Sequence, residues 1–268
     1  MKYVLKQIDT IRFYDPATDE HRVTLDDLKT VTMTNGQETV YADGKNGVHL
    51  AAWDNNKTTT VTAENGSIES GYIAMAVGSE DKVVSNGKSI LVREELTTAD
   101  GSTAIMAHKA SGAAGNELKF IYAANDNGLP GESYAQGSGA SETEFKYEAT
   151  TKTITLPTGK FKAGDKVFVD YYPTFKQYRE IVNDANKFSM TGSVWLDCWM
   201  RDICTQKDTP MFIHMPSAKV SGNLEMTFGD QAAVMNVEVE AVASACGSDK
   251  RLWTLYNADM EEIDDQGK

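Results

Sequence analysis

Phe188-Ser189-Met190-Thr191-Gly192-Ser193-Val194-Trp195-Leu196-Asp197-Cys198 sets an apolar or small side chain at every second position. Phe188, Met190, Gly192, Val194, Leu196 and Cys198 take one face, and Ser189, Thr191, Ser193, Trp195 and Asp197 take the other. A period of two marks a strand with one side on a core and one toward water. The run is about twice the ordinary strand length. Two further runs behave alike. Val220, Leu224, Met226 and Phe228 oppose Ser221, Asn223, Glu225 and Thr227, with the turn residues Gly229-Asp230 following, and Val237, Val239 and Ala241 alternate with Asn236, Glu238 and Glu240. These last two predict a hairpin with an apolar face and a hydrophilic, partly acidic one.

Turn chemistry extends the reading over the chain. Asn-Gly or Asp-Gly stands at Asn35, Asp43, Asn46, Asn65, Asn86, Asp100 and Asn127, pairs that tolerate the positive φ of tight hairpin turns. Short runs rich in Thr, Val, Tyr and Phe lie between them, so the chain reads as mainly β: an antiparallel sandwich or barrel core. One flanking helix is predicted over about 65–78. Asn65 or Ser67 would cap it, Glu69 suits its first turn, Ile68, Tyr72, Met75 and Ala76 recur at helical spacing, and Gly78 closes it. A second short helix is possible over Tyr178 to Ala185, and Cys198 to Gln206 reads equally as strand end or helix. Residues 81–173 are rich in Gly, Ser, Ala and Thr, with strand candidates at Ile90-Arg93, Leu118-Ala123, Glu144-Tyr147, Thr153-Leu156 and Lys166-Tyr172. They read as an inserted small β subdomain, leaving 1–80 and 174–268 as the core with an N-terminal arm and a C-terminal tail, or equally as a long decorated set of loops on one sandwich.

Charge narrows the function. The 268 residues carry 39 acidic and 26 basic side chains, a net −13, which argues against a protein that grips phosphate through a cationic stripe. No apolar run is long enough for a membrane helix, and the start lacks a signal-peptide core. With Cys198, Cys204 and Cys246 an odd set, the expectation is synthesis in a reducing cytoplasm without secretion or membrane partner.

Catalytic signatures are missing. His21, His49, His108 and His214 show no zinc spacing, and no phosphate loop or nucleophile elbow is present. Carboxylates cluster at Asp15, Asp19, Glu20, Asp26 and Asp27 and again at Glu261, Glu262, Asp264 and Asp265, without the register of a calcium loop. The expectation is a non-enzyme with no cofactor or metal. Trp53, Trp195, Trp199 and Trp253 with 11 Tyr leave a rival reading, a carbohydrate-binding or adhesin-like β-sandwich module.

The order of features carries a resemblance. An N-terminal arm precedes Leu28-Lys29-Thr30-Val31-Thr32-Met33-Thr34, a hairpin-like segment through Trp53 to Thr62, the helix, and an insertion closing at Gly164 to Tyr172. The long strand Lys187 to Cys198, the stretch Met215-Pro216-Ser217-Ala218-Lys219-Val220-Ser221-Gly222-Asn223 and the run Val237 to Ala241 follow. This arrangement resembles the major tail, or tail tube, proteins of tailed bacteriophages, over roughly 20–80 and 174–255.

The resemblance implies a virion structural protein whose sandwich core assembles into hexameric rings, stacked as a tube through which double-stranded genomic DNA passes. It implies as partners further copies of the chain and other tail proteins: tape measure, terminator, baseplate or sheath. Acidic residues on hydrophilic strand faces, Asp197, Glu225, Glu238 and Glu240, become candidates for the channel wall, where they would repel phosphate so that DNA slides. Tyr3, Phe13 and Tyr14 become candidate inter-ring contacts of an arm that orders on assembly.

Overall fold

The computed structural model describes residues 3–227, 234–243 and 250–257. Phe228, Gly229, Asp230, Cys246, Glu261, Glu262, Asp264 and Asp265 lie outside them. The chain divides into two compact units, one formed by the chain up to Lys82 and from Ile181 onward, the other by Val83–Glu180.

The first unit is a single antiparallel sheet wound on itself. Its strands are β1 (Tyr3–Tyr14), β2 (His21–Leu25), β3 (Leu28–Asp43), β4 (His49–Asn65), β5 (Thr191–Asp202), β6 (Asp208–Val220), β7 (Met226–Thr227), β8 (Val234–Ala241) and β9 (Thr254–Asn257). The spatial order is β2-β1-β5-β6-β8-β4-β3, with β7 beside β8 and β9 beside β6. Only Asp26 and Asp27 separate β2 from β3 in the chain, so the two ends of the path are tied together and the sheet nearly closes into a barrel. Alternation then sends one side chain in two inward. Ile11 and Phe13 of β1, Val194 and Leu196 of β5, Met215 of β6, Val237 and Val239 of β8 and Val61 of β4 form the core.

Helix α1 (Ser70–Val77) closes this core with Tyr72, Met75 and Ala76. Gly78 ends it in the left-handed region at φ 69°, with the Gly78 amide donating to Met75 and the Ser79 amide to Ala74. A Cβ at Gly78 would run into the Phe188 carbonyl. The start differs from the predicted one. Asn65 is the buried last residue of β4, and its Nδ2 donates to the Ser67 carbonyl and hydroxyl, both at 3.0 Å, so it bends the chain between strand and helix while Glu69 takes the cap position.

The second unit has its own seven-stranded sheet, in the order Val92–Thr97, Lys166–Tyr171, Phe120–Ala124, Pro130–Gln136, Glu144–Glu148, Thr153–Thr155, Thr103–Ile105. One pairing, Pro130–Gln136 with Glu144–Glu148, is parallel; the others are antiparallel. Ile121, Phe145, Ile154, Val167, Val169 and Tyr171 fill a separate core.

Several expectations are corrected. Residues 3–14, expected to belong to an N-terminal arm, are a full strand of the main sheet. Tyr178 to Ala185 forms no helix: Tyr178–Glu180 is a short strand, and Val182 is exposed with its amide donating to the Ser79 hydroxyl. The ambiguous stretch from Cys198 continues β5 to Asp202 before turning. Phe188 is not core but 80% exposed, because β5 begins only at Thr191. No helix among the described residues is long and apolar enough to cross a membrane.

Candidate functional site

The hydrophilic side of the β3–β4–β8 region is built in registered rows. Thr30, Glu64 and Asn236 stand side by side across the three strands, as do Thr32, Thr62 and Glu238. A third row, Thr34, Thr60 and Glu240, continues through Lys219 of β6 to Thr191 of β5. β-Branched threonines suit a strand surface open to water on one side. Their inward neighbours Val61, Ala63, Val237 and Val239 are core, which fixes the register and holds these rows outward.

Glu64 and Glu238 meet Glu225, which precedes β7, around an open groove of about 690 Å³. Three carboxylates line it together with threonines, Asn223 and Asn236, and among the described residues no lysine or arginine does. The nearest cation in the rows, Lys219, directs its ammonium at the Ser189 carbonyl. Helix α1 supports this surface from beneath. The Glu238 amide donates to the Tyr72 hydroxyl at 3.0 Å, and that hydroxyl donates to the Glu238 carbonyl at 3.3 Å. Burial pushes the Tyr72 hydroxyl pKa up to about 12, so it stays protonated and able to make both bonds.

The structure thus brings Glu225, Glu238 and Glu240 onto one surface and adds Glu64, which the sequence reading missed although Thr60, Thr62 and Glu64 alternate as plainly as the acids of β8. Asp197 lies elsewhere. It is six residues along β5 from Thr191, roughly 20 Å at strand rise, and is already matched: Arg12 Nη2 is 2.6 Å from Asp197 Oδ1, and the Thr10 hydroxyl donates to Oδ2 at 2.6 Å. The Arg12 guanidinium is held above its ordinary pKa, chiefly by that hydrogen bond. Trp195 nearby stacks on His214, with ring centroids 4.1 Å apart, and His214 Nε2 is 2.9 Å from the Ser193 hydroxyl. This half of the sheet face is aromatic and charge-compensated.

The three aromatic residues assigned to an arm are engaged within the same chain. Phe13 is fully buried against Tyr72 and belongs to the core, which corrects its assignment as a surface contact. Tyr3 packs on Cys198, Met200 and Met211, and Tyr14 accepts a hydrogen bond from Arg12. Cys198 donates its Sγ–H to the Met211 carbonyl, and burial pushes the thiol pKa up to about 11, leaving it unreactive.

The most conspicuous surface feature is the outer part of the β3–β4 hairpin. Beyond the register shift at Gly36 the strands continue to pair, Val40 with Trp53 and Ala42 with Ala51, yet His49 to Thr58 is exposed at every position. Val40, Tyr41, Leu50 and Trp53 are each half exposed or more. Seven residues of projection at strand rise make an arm of roughly 25 Å. Among the described residues, no group of three or more His, Cys, Asp or Glu side chains is placed to hold a metal ion.

A profile of the YomU/Tube protein family matches residues 3–251. A comparison with curated proteins finds no match.

Proposed function

The chain belongs to the YomU/Tube protein family, a family of tube proteins with a structural role in the virion, and from that premise we propose that its copies assemble into stacked hexameric rings forming a phage tail tube that passes DNA. The observation that carries the assembly is the β3–β4 arm. A two-stranded ribbon is marginal in water on its own, and this one exposes two open backbone edges and a run of large apolar side chains. Such edges invite aggregation unless a partner covers them. A neighbouring copy is the partner that a closed, symmetric oligomer supplies. Other tail components, among them tape measure, terminator, baseplate or sheath, would meet the tube at its ends or outer surface.

The groove with Glu64, Glu225 and Glu238, continued by Glu240, is the wall assigned to the channel. Threonine hydroxyls keep it wetted and the carboxylates, with no cation among the described residues lining the groove beside them, repel phosphate, so a duplex moves along it without finding a cationic hold. Asp197, neutralised by Arg12, adds little to that field even where its face turns inward.

Electron microscopy of the purified protein tests the assembly. Hollow tubes or six-membered rings are expected from the unaltered chain, and a Val40→Asp, Trp53→Asp pair should leave folded subunits that no longer form them. Tubes of unaltered length and yield from that variant would refute the role of the arm.

A further inference from the structure

We propose that the inserted unit, Val83–Glu180, carries a binding site for a neutral glycan, a proposal that stands or falls independently of the channel reading. On the face of its sheet opposite the core, Phe120 and Tyr122 neighbour Phe168, itself buried, and Asp170 of the adjacent strand, and Tyr172 follows that strand directly. An open groove of about 350 Å³ runs past Phe120, Tyr122, Asp170 and Tyr172. Phe120 is 45% and Tyr172 51% exposed, while Ile121, Val169 and Tyr171 already fill the core beneath. The two outward rings are therefore not needed to pack the unit.

The rim is polar and held in place. Arg93 Nε and Nη2 each lie 2.6 Å from the two Asp170 oxygens, a bidentate pair whose charges cancel. Glu117 is fixed by the Gly115 amide and by Gln136 Nε2, both at 2.9 Å. Flat aromatic faces beside planar, oriented acceptors and donors match a pyranose, which presents C–H bonds on one face and hydroxyls around its edge.

Other classes fit less well. Phe120–Ala124 is paired on both sides, so the groove has no free strand edge to bind a peptide backbone. Glu117, Asp170 and one exposed cation, Lys119, border it while Arg93 is occupied, so an anionic polymer would meet two carboxylates against a single ammonium.

Saturation-transfer NMR on the full-length protein tests the site, with maltotriose, lactose and tri-N-acetylglucosamine as neutral probes and heparin as the anionic one. At least one neutral sugar should bind with millimolar affinity through its ring C–H protons. Phe120→Ala and Tyr172→Ala should each weaken that binding roughly tenfold, while Phe120→Tyr, which keeps the ring, and Leu129→Ala, an exposed apolar residue outside the groove, should retain it. The proposal is overturned if no neutral probe binds at about 10 mM, if only heparin binds, or if both ring deletions leave sugar binding unchanged.

Discussion

The Tyr72 hydroxyl completes the backbone hydrogen bonding of Glu238, accepting from its amide at 3.0 Å and donating to its carbonyl at 3.3 Å. β8 pairs with β6 only from Val239 onward and with β7 only at Val234 and Met235. Between those contacts the Glu238 peptide groups face a gap, which the helix fills with one phenol, helped by the Ser221 amide donating to the same carbonyl.

Tyr72→Phe should therefore cost about 1–2 kcal/mol, since a part-buried amide is left without its acceptor, lowering the melting temperature by roughly 3–6 °C. The linkage adds a pH signature. The phenol pKa lies near 12 in the folded protein against an ordinary value of 10. The unfolded chain loses that proton first, so its contribution is complete below pH 10 and is lost as pH rises from 10 through about 12. Denaturant titrations across that window should show a shallower alkaline loss in Tyr72→Phe. Equal slopes for the two proteins would contradict this account.

The Arg12–Asp197 pair joins β1 to β5, with about a quarter to a third of each side chain exposed. Solvent screening limits such a pair to about 1 kcal/mol of coupling. A double-mutant cycle of Arg12→Ala and Asp197→Ala should recover that amount at low salt and less at high salt. Coupling indistinguishable from zero at low salt would show that the Thr10 hydrogen bond to Asp197 and the backbone pairing do the joining.

Legibility followed how strictly each strand keeps a period of two. Val234–Ala241 alternates without a break, and its acids could be placed from sequence. Tyr3–Tyr14 could not, because register shifts between Leu5 and Gln7 and between Ile8 and Thr10 move successive side chains off the alternating pattern, and only Ile11 and Phe13 are buried. Pro216 marks a similar place: Ser193 stands opposite both Pro216 and Ser217, where a missing amide proton is tolerated. The groove was invisible for another reason. Glu64, Glu225 and Glu238 come from three separated segments, and only the pairing of β8 with β4 and β7 brings them together.

His214 gives an acid-side prediction. Desolvation against Trp195, followed by the nearby charge of Arg251, lowers its pKa below the ordinary 6.5. The unfolded chain takes the proton first, so stability from the neutral ring is complete above pH 6.5 and is lost as pH falls through the lower folded value. Chemical denaturation from about pH 7.5 down to about pH 5 should show a decline that His214→Gln reduces. A decline of the same size in the variant would assign it to the carboxylates.

Reversing the charge of the candidate wall separates structure from passage. Glu238 and Glu240 are exposed and their side chains support no core contact, so Glu238→Lys with Glu240→Lys should change subunit stability by no more than about 0.5 kcal/mol and leave assembly intact. The rows would then carry two added ammonium groups beside Lys219, a cationic strip where a duplex can release counterions and stay. Tubes of the variant should retain labelled duplex DNA at low salt and lose it steeply as salt rises, while unaltered tubes retain none. Virions carrying the variant should release their genome more slowly. Unchanged retention and unchanged release from correctly formed tubes would place Glu238 and Glu240 away from the path of the DNA.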